Sequence, residues 1–154
     1  MAKHIQFTTT GGPDVLQYLE FTPSDPAPHE VQVENKAIGI NYIDTYVRSG
    51  LYPPAHLPSG LGTEAAGIVS KVGAAVSSVK VGDRVVYAQS ALGAYSEVHN
   101  VPADKIALLP EQISFEQAAA SFLKGLTAYY CCARPTRLNR GKCSCSTLRR
   151  EGLG

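Results

Sequence analysis

The chain has 154 residues, with 14 Lys and Arg against 13 Asp and Glu, for a formal net charge of +1. That length fits one domain with its own core, and the near-balanced charge gives no overall case for nucleic acid or an anionic membrane. The N-terminus lacks the charged-then-apolar pattern of a secretory leader, and no apolar run reaches the ~18 residues of a membrane span, so a cytoplasmic location is expected. These averages conceal a split. Residues 1–130 hold eight basic and twelve acidic residues; residues 131–154 hold six basic residues, one acid (Glu151) and all four cysteines. No internal repeat is visible, and this shift is the one clear boundary.

In chain order, His4 to Thr9 reads as a strand. Gly11, Gly12 and Pro13 turn the chain, and Val15 to Phe21 alternates enough for a second strand. Pro23, Pro26 and Pro28 stiffen the next loop. Glu30 to Ile40 is a long strand with β-branched alternation; Asn41 to Ser49 is a short helix that Gly50 stops. Leu51 to Ser59, with three prolines, is an extended loop. Gly60 to Gly73 then packs four glycines, Glu64 and the apolar residues Ala65, Ala66, Ile68 and Val69 into fourteen positions. The glycines mark sharp turns or close backbone approach, and the apolar residues a buried strand. Glu64, beside that strand, needs a partner or a solvated pocket; a nearby Arg is the plain structural expectation. Val79 to Ala88 is a turn and strand, Ala94 to Val101 another strand, and Lys105 to Leu109 a short one. Ser114 with Gln117 forms a capping box for a helix running from Phe115 towards Tyr130. Many short strands with Gly/Pro turns, then a helix, describe a mainly β, barrel-like domain with α elements.

The pattern G-x-E-x-x-G-x-V-x-x-V-G, from Gly62 to Gly73, resembles the signature of the medium-chain dehydrogenase/reductase superfamily. In its zinc enzymes a His precedes the Glu and a Cys occupies the place of Asn41. Here those places hold Thr63 and Asn41, and neither belongs to the Cys, His and carboxylate set that binds zinc. No Cys cluster occurs at residues 85–115 either, so the structural zinc lobe is missing too. Over residues 1–130 the chain therefore resembles the zinc-independent quinone oxidoreductases, the zeta-crystallin-like branch.

The resemblance implies a GroES-like β-barrel domain of an alcohol-dehydrogenase-like reductase, with the Rossmann nucleotide-binding domain missing. It implies hydride transfer from NADPH to a quinone, with no metal, and a homodimer as the full-length form. It assigns Asn41, Asp44, Tyr46 and Tyr52 to the cleft around nicotinamide and substrate, and Lys124, Thr127 and Tyr130 to the cofactor side. Tyr52 is the candidate hydrogen-bond donor to a quinone oxygen. Read without the resemblance, Asn41 is a turn residue, Asp44 a helix-start acid, Tyr46 a half-buried ring and Tyr52 a ring packed on prolines. His4, His29, His56 and His99 show no ligand spacing and read as surface or ordinary packed histidines.

Residues 131–154 do not fit the resemblance. Their Cys-Cys and Cys-x-Cys pairs lack the C-x₂-C spacing of common zinc sites, and their composition reads as a disordered tail. Shifted by one base, with synonymous codons allowed, the tail can encode LLRKTYEIKPGEVFLFHAAAGGVG, which ends in a glycine-rich dinucleotide loop. The expectation is a frame-shifted, truncated and inactive form of the reductase. Two other readings stand beside it: an enoyl-type reductase of the same superfamily, and a non-enzymatic binding domain whose Cys/Arg-rich tail contacts metal or nucleic acid.

Overall fold

A computed structural model describes residues 1–133. The frame-shift reading falls almost wholly on residues 134–154, outside the described residues. Two compact units divide between Lys124 and Gly125.

The first unit contains β1 (Ala2–Phe7), β2 (Gln17–Phe21), β3 (Glu30–Ile38), α1 (Tyr42–Ser49), β4 (Ser59–Gly60), β5 (Ala65–Val72), β6 (Arg84–Tyr87), β7 (Val98–Pro102) and β8 (Ile106–Leu108). Helix α2 spans Phe115–Ala133, so its last turns belong to the second unit. Strands β2, β1 and β4 form one antiparallel sheet, and β7, β3, β5, β6 and β8, in that order, form another. The segment before β7 joins them: Ile5 donates its N–H to the Tyr95 carbonyl at 2.7 Å, and Glu97 donates to the Lys3 carbonyl at 2.9 Å. The mainly β, barrel-like expectation holds.

Strands β5 and β6 explain the continuous apolar run. Successive side chains on a strand point to opposite faces. Ala65, Val69, Val85 and Tyr87 face one core with Val31, Val33 and Val101. Ala66 and Val86 face the other way, into a cluster with Leu109, Ala118 and Ala119. The strands are thus buried on both sides, and the first turns of α2 supply the second cover. Ile68 is only half-buried. Arg84 braces that end of the helix: its guanidinium donates to the carbonyls of Pro110 (2.9 Å) and Ile113 (2.6 Å) and lies 4.6 Å from the Phe115 ring centre. The capping box forms in both directions, Gln117 N–H to Ser114 Oγ at 3.1 Å and Ser114 N–H to Gln117 Oε1 at 3.0 Å.

The glycine stretch behaves as expected. Gly67 crosses β3 at an irregularity between Asn35 and Ala37, where the register shifts. A Cβ there would collide with the Glu34 carbonyl oxygen and come within 2.9 Å of Asn35 Cα. Several strand limits differ from expectation, β2 starting at Gln17 and β3 ending at Ile38 among them. β1 starts at Ala2 and ends at Phe7, and the strand expected from Ala94 begins only at Val98. The reason for the last lies in the backbone: Gly93 takes φ +138°, and the N–H groups of Ala94 and Tyr95 turn to the carbonyls of Gly62 and Leu61 instead of a ladder. Helix α2 also runs past Tyr130 and includes Cys131 and Cys132, both exposed.

His99 is a packed histidine, one of the two environments expected for it. It lies against Tyr87, ring centres 5.9 Å apart, and its Nε2 has no partner among the described residues. Burial lowers its pKa, against the opposing pull of a backbone hydrogen bond with Ala91 and of the Glu30 charge.

Two outcomes are expected. Gly67→Ala should lower the unfolding free energy by about 3 kcal/mol or prevent folding, because backbone atoms must move; urea titration measures this. For His99 the folded state favours the neutral ring, so the unfolded chain binds a proton first as pH falls. Stability should decline as pH drops below about 6.5, and His99→Gln should flatten that slope.

Candidate functional site

The end of β3, the start of α1, the entry to β5 and the middle of α2 meet around one carboxylate. Glu64 is fully buried. Its Oε1 accepts the backbone N–H of Leu123 at 2.7 Å, and its Oε2 accepts Nδ2 of Asn41 at 2.7 Å. The expected Arg partner is replaced by these two neutral donors. The positive charge arrives one step removed: Lys124 Nζ donates to Asn41 Oδ1 at 3.1 Å, with a long contact of 3.4 Å to the Ile40 carbonyl. A carboxylate only accepts and an ammonium only donates, so this order fixes which end of the Asn41 amide faces which neighbour.

Gly39 makes the meeting possible. A Cβ on it would stand 2.5 Å from the Ala119 carbonyl oxygen and 2.6 Å from Glu64 Oε2. Any side chain there would push α2 away from β3 or displace the carboxylate. Sequence reading passed over both Gly39 and the partners of Glu64. The pairing joins residues 23 and 59 positions apart, and no local pattern encodes it.

Asn41 is the N-cap of α1, in extended backbone (φ −127°, ψ 148°), and Gly50 ends the helix at φ +86° as expected. Asp44 sits beneath this corner and is 3% exposed. Its Oδ2 accepts the Asn41 backbone N–H and the Tyr95 hydroxyl, each at 2.9 Å. Burial, reinforced by the Asp44 charge, raises the Tyr95 pKa and keeps its proton on the bond. Asp44 Oδ1 has no partner among the described residues. Asp44 thus anchors Asn41 from below, as the helix-start reading anticipated.

Tyr46 and Tyr52 meet edge to face, ring centres 5.6 Å apart, and the Tyr52 N–H donates to the Tyr46 carbonyl at 3.2 Å. Tyr42, not singled out from sequence, extends this row, edge to face with Tyr46 at 5.2 Å. It lies four residues before Tyr46 on α1, a spacing that puts both on one helix face and was the available signal. Tyr42 and Tyr52 are both more than half exposed. Tyr52 therefore packs on another tyrosine while staying more than half exposed. Thr63 lies next to Glu64, and its carbonyl accepts the Ser90 N–H at 3.3 Å. Lys124 ends the first unit; Thr127 and Tyr130 follow at three-residue spacing on α2, in the second unit, and both are exposed.

Comparison with known proteins gives this geometry its setting. The chain is 76% identical over 130 residues to quinone oxidoreductase 1 of Escherichia coli K12, covering 84% of this chain and 40% of that protein. It is 56% identical over 142 residues to a quinone oxidoreductase of Pseudomonas aeruginosa, covering 92% and 44%. The chain thus spans about two-fifths of the length of the curated relatives it matches. The crystal structure of Escherichia coli quinone oxidoreductase complexed with NADPH superposes with a TM-score of 0.82 at 76% identity, over 83% of this chain and 39% of that one. Residues 27–111 match the family described as the alcohol dehydrogenase GroES-like domain, and the chain belongs to that family.

Proposed function

We propose that residues 1–130 are the substrate-side part of an NADPH:quinone oxidoreductase that works without zinc. The observation that carries this reading is the 76% identity, at a TM-score of 0.82, to a quinone oxidoreductase whose structure was solved with NADPH. The corner around Asn41 supports it chemically. Its amide is held at both ends, by Glu64 at Nδ2 and by Lys124 at Oδ1, and both the amide nitrogen and the ammonium carry more N–H groups than those bonds use. Those donors suit the carbonyl oxygen of a nicotinamide carboxamide. The donor set does not suit zinc: Asn41 spends its amide nitrogen on Glu64, and the position expected for the second ligand is Thr63.

When bound, the nicotinamide supplies a hydride; with one proton, that hydride reduces a quinone to the hydroquinone. The chain's own residues contribute placement. Asn41 and Lys124 orient the nicotinamide end. The faces of Tyr42, Tyr46 and Tyr52 offer a wall for a planar acceptor ring, and the Tyr52 hydroxyl donates to its oxygen.

The test is a hybrid polypeptide in which residues 1–130 continue into the remainder of Escherichia coli quinone oxidoreductase 1. NADPH oxidation should depend on added quinone and should greatly exceed turnover with enoyl thioesters. Faster turnover of enoyl thioesters would replace the reading with the enoyl-reductase one, and no turnover of either would remove it. In the hybrid, Tyr52→Phe should lower kcat about tenfold, the worth of one hydrogen bond of about 1.4 kcal/mol, with the melting temperature unchanged. Unchanged turnover would remove Tyr52 from the mechanism.

A further inference from the structure

We infer that Glu64 is a positioning residue: its carboxylate sets the orientation of the Asn41 amide and locks helix α2 to the same corner. The inference rests on the reading of Asn41 as a residue of the nicotinamide cleft. Four observations carry it. Glu64 is fully buried. Each of its oxygens accepts from a different element, Asn41 at the head of α1 and Leu123 within α2. The Asn41 amide lies between Glu64 and Lys124. Gly39 leaves space for this arrangement and for no side chain of its own.

The electrostatics explain why an acid is required. A buried carboxylate is costly unless its lone pairs are met by donors. Here two N–H groups meet them, and the amide dipole of Asn41 points its positive end at Glu64 and its negative end at Lys124. The amide relays the attraction between two charges that do not touch. Both donors are fixed in place: one is a helix backbone amide, the other the side chain of an N-cap whose own N–H is tied to Asp44.

The hydrogen-bond inventory gives a sharp consequence. Glutamine has one acceptor and one donor at its end, and both partners of Glu64 are donors. Glu64→Gln therefore leaves a donor facing a donor, whichever way the amide turns. Asn41→Asp alone sets two carboxylates face to face. Combining them restores every pair. The introduced glutamine accepts from Leu123 through its oxygen and donates to the introduced aspartate, which also accepts from Lys124. Net charge equals that of the parent.

The experiment has two arms. In the 154-residue chain, thermal and urea unfolding are measured for the parent, both single variants and the double variant. Each single variant should be clearly destabilised, and the double should recover more than half of the summed loss. A double variant whose loss is the sum of the two singles, or which fails to fold, would overturn the inference. In the hybrid enzyme, Glu64→Gln should lower kcat about 100-fold, as expected for a misplaced reacting geometry, with KM for quinone changed less than threefold. The double variant should regain stability but not kcat, because the amide offered to the nicotinamide is gone. A Glu64→Gln hybrid with parental kcat would also overturn the inference. A parent hybrid with no turnover would instead count against the proposed function, and the unfolding cycle would still decide whether Glu64 holds Asn41.

Discussion

Strands β5 and β6 are buried on both faces, and much of the fold answers that demand. One face closes against the valines of β3 and the strand beside it. The other needs a cover, which the alanines and phenylalanines of early α2 provide. A helix packed this closely brings its backbone amides near the start of β5. Glu64 stands at that point, and its carboxylate takes one of those amides. Packing and polar satisfaction thus converge on one residue, where apolar surface and an acid occupy neighbouring positions in the chain.

The site follows from the same constraint. Once Glu64 is fixed by α2, its second oxygen is directed at the head of α1, and Asn41 is the only side chain there in hydrogen-bonding contact with it among the described residues. Asp44 and Tyr95 hold Asn41 from the other side. A glycine at position 39 lets the helix carbonyl and the carboxylate approach. The result is a corner built from distant parts of the chain, with a positive charge at its rim and a row of tyrosines beside it. Such a corner is preorganised: its polar groups are already oriented by contacts within the chain.

Much of this was legible in the sequence where the code is local. The Ser114–Gln117 box and the Gly50 stop depend on residues a few positions apart, and each took the expected form, whereas β3 alternates only from Glu34 onward because Val31, Gln32 and Val33 are all buried. The glycine stretch was legible as close approach, although which backbone approached was not. The start of β7 differs from expectation because Ala94 and Tyr95 give their amides to a distant turn at Leu61 and Gly62. The partner of Glu64 was misread for a related reason. Burial demanded a donor, and a guanidinium is the commonest supplier, but Arg84 is occupied at the head of α2. The candidate residues came from motif likeness. The structure adds what the motif lacks: Asp44 lies under the corner, Tyr42 joins the row, and Lys124 and Glu64 act through one shared amide.

The central claim is that this corner faces the nicotinamide. A crystal structure of the hybrid enzyme with NADP⁺ bound tests it most directly. The account predicts the carboxamide within hydrogen-bonding distance of Asn41 or Lys124, the Asn41 amide still held by Glu64, and the Tyr46 and Tyr52 rings lining the space over the nicotinamide ring. A nicotinamide bound away from Asn41, or an Asn41 amide turned away from Glu64 in the complex, would contradict it.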